Sequence, residues 1–213
     1  MAIAPAPRWQ RLDHDERRRQ ILACAARLFS ERSYDAVSTT DIAAEAGVAR
    51  GLLHHYFGTK RDLYLQVVRD LMRMPSNPVP LQAPGRGLEV VIDDSVDRWL
   101  TMLERNRGTW LAANAARGLG GGDPELEAIL EDAREQAADR LIEALQTYEA
   151  RTAPPELRAA IRAYSGFAEA ASIEWLARHR LTRDQTRALL TETFLTLVNQ
   201  VLPAITQETP SDE

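Results

Sequence analysis

Residues 38–60 read STTDIAAEAGVARGLLHHYFGTK, and the fold turns on this stretch. It predicts two short helices joined by a tight turn at Gly47, then a small loop and a lysine. Ser38 and Asp41 form the S-x-x-D pattern of a helix start. The serine oxygen accepts from the free amide at the third helical position, and the acid suits the positive helix end. Ile42, Ala43 and Ala46 give a small apolar face that permits a close helix crossing. Gly47 ends this helix, because glycine enters the left-handed region at no steric cost. Val48 is placed to fill the space between the two helices.

The second helix runs from Ala49 to about Phe57. At 3.6 residues per turn Leu53 and Phe57 share one face, the side predicted to be buried. Arg50, Gly51, His54 and His55 fall largely on the other. An exposed helix with this set suits a major groove, where side chains read base edges. Gly51 lowers helix stability, and a close approach to a DNA backbone accounts for it. Lys60, where the next helix begins, is placed to grip a phosphate. The candidate DNA-contacting set is Ser38, Thr39, Thr40, Arg50, Gly51, Leu52, His54, His55, Tyr56 and Lys60, with Arg50 foremost. Plainer roles exist for several. Ser38 and Asp41 are caps in almost any helix, and Tyr56 serves packing as readily as backbone contact. His54 and His55 diverge by about 100° around a helix, and no other ligand cluster accompanies them, so no metal or other cofactor is expected.

These residues resemble the TetR (AcrR-like) family of bacterial one-component transcriptional regulators. Its usual pattern is a first helix ending in L-F, then T-x-x-x-I-A-x-x-A-G-V-s-x-x-t-l-Y-x-h-F-x-x-K-x-x-L. The chain supplies Leu28-Phe29, Ile42-Ala43, Ala46-Gly47-Val48, Leu53, Phe57, Lys60 and Leu63 in register. The resemblance implies an all-α protein, with an N-terminal three-helix head carrying the helix-turn-helix and a helical body for ligand binding and dimerisation. It also implies a homodimer on a palindromic double-stranded DNA operator, most often a repressor that a small-molecule effector releases. The chain departs from the pattern in three places. Ala49 stands where the family often has Ser, so the recognition helix lacks that cap. Leu52 replaces a common Thr or Ser, and His54 a usual Tyr. His54 can still donate to a phosphate, and Leu52 can touch a thymine methyl.

Composition fits this picture. The chain has 213 residues, 45% hydrophobic and 27% charged, which is ordinary for a globular protein. No apolar run approaches the ~18 residues of a membrane span, and the start MAIAPAPRWQ lacks the apolar core of a signal peptide. A cytoplasmic protein away from membranes is expected. The single cysteine, Cys24, lies in an alanine-rich helix and reads as a small packing residue; a redox sensor would need exposure and a lowered pKa. The net charge of −5 sits badly with DNA binding until the chain is divided. Residues 1–74 carry 12 Arg or Lys and 9 Asp or Glu, net +3, whereas residues 75–213 carry 14 and 22, net −8. The basic excess lies on the part expected to meet DNA.

Outward from the central motif, residues 1–12, with Pro5, Pro7, Arg8, Trp9 and Arg11, read as a flexible arm. The DNA-binding unit with its connecting helix spans 13–74. It opens with a helix from Asp13 to Glu31, striped by Ile21, Leu22, Ala25, Leu28 and Phe29. Arg17, Arg18 and Arg19 there are either phosphate contacts or a solvated face. Thr59 caps a fourth helix with Leu63, Val67 and Leu71 inward. Residues 75–87, PSNPVPLQAPGRG, cannot sustain a helix and read as a linker. The body, 88–203, shows no strand signal. Helices are predicted over Leu88 to about Arg105, Thr109 to Arg117, Asp123-Pro124 to about Ala150, Glu156 to Arg178, and Thr182 to about Leu202. The glycine run at 118–124 lacks the G-K-[ST] ending of a phosphate loop. Residues 204–213 form a tail.

The last two helices carry broad apolar faces, and small residues such as Ser165, Gly166, Ala170 and Ala171 permit close approach. In the resembled family this pair makes a two-fold four-helix interface, and a dimer would place two recognition helices one DNA turn apart. The family's body usually holds an effector cavity, for which the candidate walls are Trp99, Met102, Leu103, Trp110, Asn114, Ile142, Tyr148, Phe167 and Trp175. Aromatics with a few polar groups suit an apolar or amphipathic ligand. Two other readings compete: an all-helical enzyme, for which no catalytic constellation stands out, and a regulator governed by a protein partner or redox state, which a body without a cavity would favour.

Overall fold

The computed structural model of the chain describes residues 14–73, 87–118, 123–149 and 154–206. The expected arm at 1–12, nearly all of the 75–87 linker, residues 119–122 of the glycine run and the segment after 206 lie outside the described residues, as does the side chain of Tyr148. The described residues are helical, with no strand among them: α1 (His14–Glu31), a 3₁₀ turn (Tyr34–Ala36), α2 (Thr39–Glu45), α3 (Arg50–Phe57), α4 (Lys60–Met72), α5 (Leu88–Arg105), α6 (Arg107–Gly118), α7 (Pro124–Glu149), α8 (Pro155–Leu176), α9 (Arg183–Thr196), a π turn (Leu197–Val201) and α10 (Leu202–Thr206).

Local chemistry sets the helix starts. Ser38 Oγ accepts from the Asp41 amide at 3.0 Å while the Asp41 carboxylate accepts from the Ser38 amide at 2.9 Å. Thr59 with Asp62 and Thr182 with Gln185 repeat this reciprocal cap at α4 and α9, each worth about 1 kcal/mol. Asp123 caps α7, its Oδ1 accepting from the Glu125 and Leu126 amides. Gly47 turns the chain between α2 and α3 at φ +62°.

Three features depart from the sequence reading. The sixth helix starts at Arg107, with only Asn106 between it and α5. The last helix is broken by a π turn, in which the Leu202 amide donates to the Leu197 carbonyl. Pro203 has no amide to donate to the Asn199 carbonyl, and widening the preceding turn absorbs that loss. The chain also stays helical to Thr206, so residues 204–206 close α10 and do not open the tail. By length and composition Arg183–Thr206 is apolar enough to cross a membrane, although most of that window lies outside the core. Interspersed threonines hide this in a count of consecutive apolar residues.

The head core is Ile21, Leu28, Phe29, Ile42, Leu53 and Leu63, and it is continuous with Ala113 of α6 and with Leu126, Ile129 and Leu130 of α7. A second core, with Leu100, Leu103, Ile161, Leu190 and Phe194, fills the body. Met72, at the end of α4, packs against both. Where α6 crosses α1, a Cβ on Gly108 would run into the Phe29 and Ser30 carbonyls, so glycine alone permits this backbone contact. Arginine pairs fix the body helices in register. Arg187 of α9 reaches Asp93 Oδ1 at 2.9 Å and Asp97 at 3.1 Å on α5. Arg134 of α7 forks onto Glu169 of α8 at 2.8 and 3.0 Å.

Candidate nucleic-acid interface and effector cavity

The two faces of α3 separate cleanly. Leu53 and Phe57 are buried in the head core, whereas Arg50, Gly51, Leu52, His54 and His55 are exposed. A Cβ on Gly51 would meet nothing within 4 Å. The Ala49 cap makes no side-chain bond, which leaves the first α3 amides free for an anion. Ser38 and Thr40, at the start of α2, are exposed too, and Thr39 is half-buried.

Several candidate side chains already have protein partners. His54 Nδ1–H donates to the Gly58 carbonyl at 2.7 Å and closes the C-terminus of α3. In that tautomer the outward Nε2 of a neutral ring is an acceptor, so His54 can donate to a phosphate only as the imidazolium. Tyr56 is half-buried against the head core, its ring 4.6 Å from that of His14. Lys60 holds its ammonium 4.1 Å above the Tyr34 ring. On α1, Arg18 stacks over Phe57 at 5.2 Å, Arg17 binds Gln20, and Arg19 donates to the Asp15 carbonyl. Gln20 ties α1 to the helix pair by donating to the Ala46 carbonyl at 3.1 Å. Arg50 is the exposed cation on α3 itself. The Cys24 thiol is half-buried, and burial with the Glu45 charge pushes it above its ordinary pKa, away from the thiolate that redox chemistry needs.

In the body, α5 to α9 and the end of α4 border a partly open cavity of about 540 Å³. Trp99, Met102 and Trp110 line it. The two indoles meet edge to face at 5.9 Å, and Trp110 Nε1–H donates to Ser172 Oγ at 2.9 Å. The other expected walls lie elsewhere. Leu103 and Trp175 are buried in the body core, and Ile142 packs on it. Asn114 donates to the Trp110 carbonyl at 3.0 Å. Phe167 is exposed on the outer side of α8. Helix phase explains these shifts: Ala168, Leu141 and Met102 face the cavity, so their neighbours Phe167, Ile142 and Leu103 point about 100° away. The sequence reading also missed the polar part of the wall, which includes Arg98, Arg105, Arg134, Arg140 and Glu169. On α5 the signal was present, since Ser95, Arg98, Met102 and Arg105 recur at helical spacing.

Comparisons with known proteins agree with this geometry. Residues 21–67 match the tetR family of bacterial regulatory proteins, and residues 88–197 match the tetracyclin repressor-like C-terminal domain. The chain is 37% identical over 71 residues to the HTH-type transcriptional regulator HbdR of Aromatoleum sp. (strain CIB), covering 33% of this chain and 31% of that protein. It is 42% identical over 62 residues to the HTH-type transcriptional activator FasR of Mycolicibacterium smegmatis, covering 29% and 28%. The chain thus spans about a third or less of the length of these curated relatives. A tetR-family transcriptional regulator from Streptomyces coelicolor superposes with a TM-score of 0.76 at 26% identity, over 87% of this chain and 82% of that one.

Proposed function

From the premise that this chain belongs to the TetR family of bacterial regulatory proteins, we propose that it is a homodimeric, ligand-gated transcriptional repressor acting in the cytoplasm. Residues 13–74 serve as the DNA-binding head and 88–203 as the effector and dimer body. The observation that carries this reading is α3, which buries Leu53 and Phe57 and turns Arg50, Gly51, Leu52, His54 and His55 to solvent. Arg50 reads a base edge or phosphate, Leu52 meets a thymine methyl, and Lys60, Ser38, Thr39, Thr40 and Tyr56 flank the backbone. The cavity favours a small-molecule effector over control by a protein partner alone. Met72 supports a route for the signal, because it lines the cavity and packs against the head core. An effector acts only through unequal affinity for the DNA-bound and released forms. FasR is named an activator, but the sign of regulation depends on where the operator lies.

The test is selection of bound duplexes from a random pool, followed by titration of the recovered site. A palindrome with two half-sites about one turn apart is expected, with binding that falls steeply as salt rises. Arg50→Ala should weaken that site by about 1–3 kcal/mol and leave the dimer intact. No sequence-selective retention at low ionic strength would overturn the reading.

A further inference from the structure

Most arginines described in this molecule sit on carboxylates. Arg61, Arg69, Arg158, Arg162, Arg183 and Arg187 each have an acidic partner. The cavity wall is different. Arg134 is neutralised by its fork onto Glu169. Arg98 donates to the Ser95 hydroxyl at 3.2 Å, and no carboxylate among the described residues lies in ion-pair range of Arg98, Arg105 or Arg140. Arg98 and Arg140 are half-buried. Burial, only partly offset by the neighbouring Asp139 charge, pulls the Arg140 guanidinium below its ordinary pKa, as expected for a cation that has lost water without gaining an ion-pair partner. Placing such a group in a wall costs free energy, and replacement by an apolar residue of similar volume would remove that cost. The rest of the wall, with Trp99, Met102, Trp110, Leu141 and Phe194, is apolar.

Resting on the reading of this cavity as the effector site, we infer that the effector is an amphiphile with an apolar body and one anionic head group, which Arg140 and Arg98 receive. A guanidinium presents a planar fork of donors that matches a carboxylate or phosphate, and the match is strongest where water is excluded. The uncompensated positive charge of the wall disfavours a cationic ligand of the same shape. The cavity volume falls in the range of sites for drug-sized molecules.

The full-length protein is loaded with Nile red, a neutral apolar dye, which is then displaced by decanoate, 1-decanol or decyltrimethylammonium near neutral pH. Decanoate should displace the dye at concentrations about tenfold below the other two. Arg140→Met should raise the decanoate requirement about tenfold without weakening Nile red or decanol binding, while Arg140→Lys, with a compact charge, keeps part of the preference. The unliganded Arg140→Met protein should melt at or above the wild-type temperature. If that variant does not fold, Arg98→Met carries the same prediction. Equal or stronger displacement by decanol or the ammonium would overturn the anion preference and leave the cavity as an effector site. Failure of Nile red to bind would remove the effector site, and the inference with it.

Discussion

Gly51 is where stability and recognition pull apart. It lies in the first turn of an eight-residue helix, where glycine costs about 0.5–1 kcal/mol relative to alanine. A Cβ there would meet no neighbour in this chain, so no internal packing accounts for the glycine. On the proposed reading, that open space is left for a sugar-phosphate backbone lying against α3. Gly51→Ala should therefore raise the melting temperature by about 2 °C and lower operator affinity. Thermal denaturation and a fluorescence-anisotropy titration measure the two effects. A more stable variant with unchanged affinity would show that nothing approaches this face closely. Features of this local kind were legible from sequence, because Ser38, Thr59 and Gly47 act through bonds and dihedrals within a few residues. The closure of α3 by His54 was not, because the sequence does not say which ring nitrogen meets the Gly58 carbonyl.

At the scale of elements, the junction between α4 and α7 ties the first helices to the body. Arg61 grips Asp123 at 2.9 and 2.5 Å and reaches Glu125 at 3.2 Å, while Arg69 reaches Glu125 at 2.5 Å. Asp123 also caps α7, so one carboxylate both starts a body helix and holds the connecting helix. The Arg61 guanidinium, with the Leu126 and Glu125 amides, holds the Asp123 carboxyl below its ordinary value of 3.8. A lowered folded-state pKa gives stability that is present above 3.8 and is lost as pH falls through the folded value. Asp123→Asn removes that dependence. Its unfolding midpoint in urea should lie below wild type at neutral pH, and the gap should shrink as pH drops below 3.8. A gap that stays constant with pH would mean that the ion pair contributes nothing to this junction. The helices themselves were readable from their apolar stripes. Their phase toward the cavity was not, because whether Phe167 or Ala168 faces inward depends on which helices pack against α8. The cavity arginines escaped for a related reason, since a charge beside an apolar stripe reads as its solvated border.

For the whole molecule, the distribution of exposed apolar surface supports the proposed homodimer. The large hydrophobic residues left exposed among those described are Leu52, Val90, Phe167, Leu189, Val201 and Ile205, and the last four lie on α8, α9, the π turn and α10. Around Phe167, the exposed residues Ala159, Ala163, Gly166 and Ala170 recur at helical spacing, giving a flat stripe where another helix can approach closely. A Cβ on Gly166 meets nothing within 4 Å. A patch of this kind, alongside an inward face already filled by Ile161, Leu190, Phe194 and Leu202, suits the interface that the proposed dimer requires. A two-fold axis through it would place the same patch on both partners and double the +3 of each head while the acidic bodies face away from the duplex. Phe167→Glu puts a charge on each side of that axis, so the like charges repel as well as lose apolar contact. The variant should elute at half the mass of the parent in light scattering. It should keep its helical content by circular dichroism and lose the palindromic site while retaining weak, salt-sensitive DNA binding. An unchanged mass would move the dimer interface elsewhere, and with it the spacing between the two recognition helices.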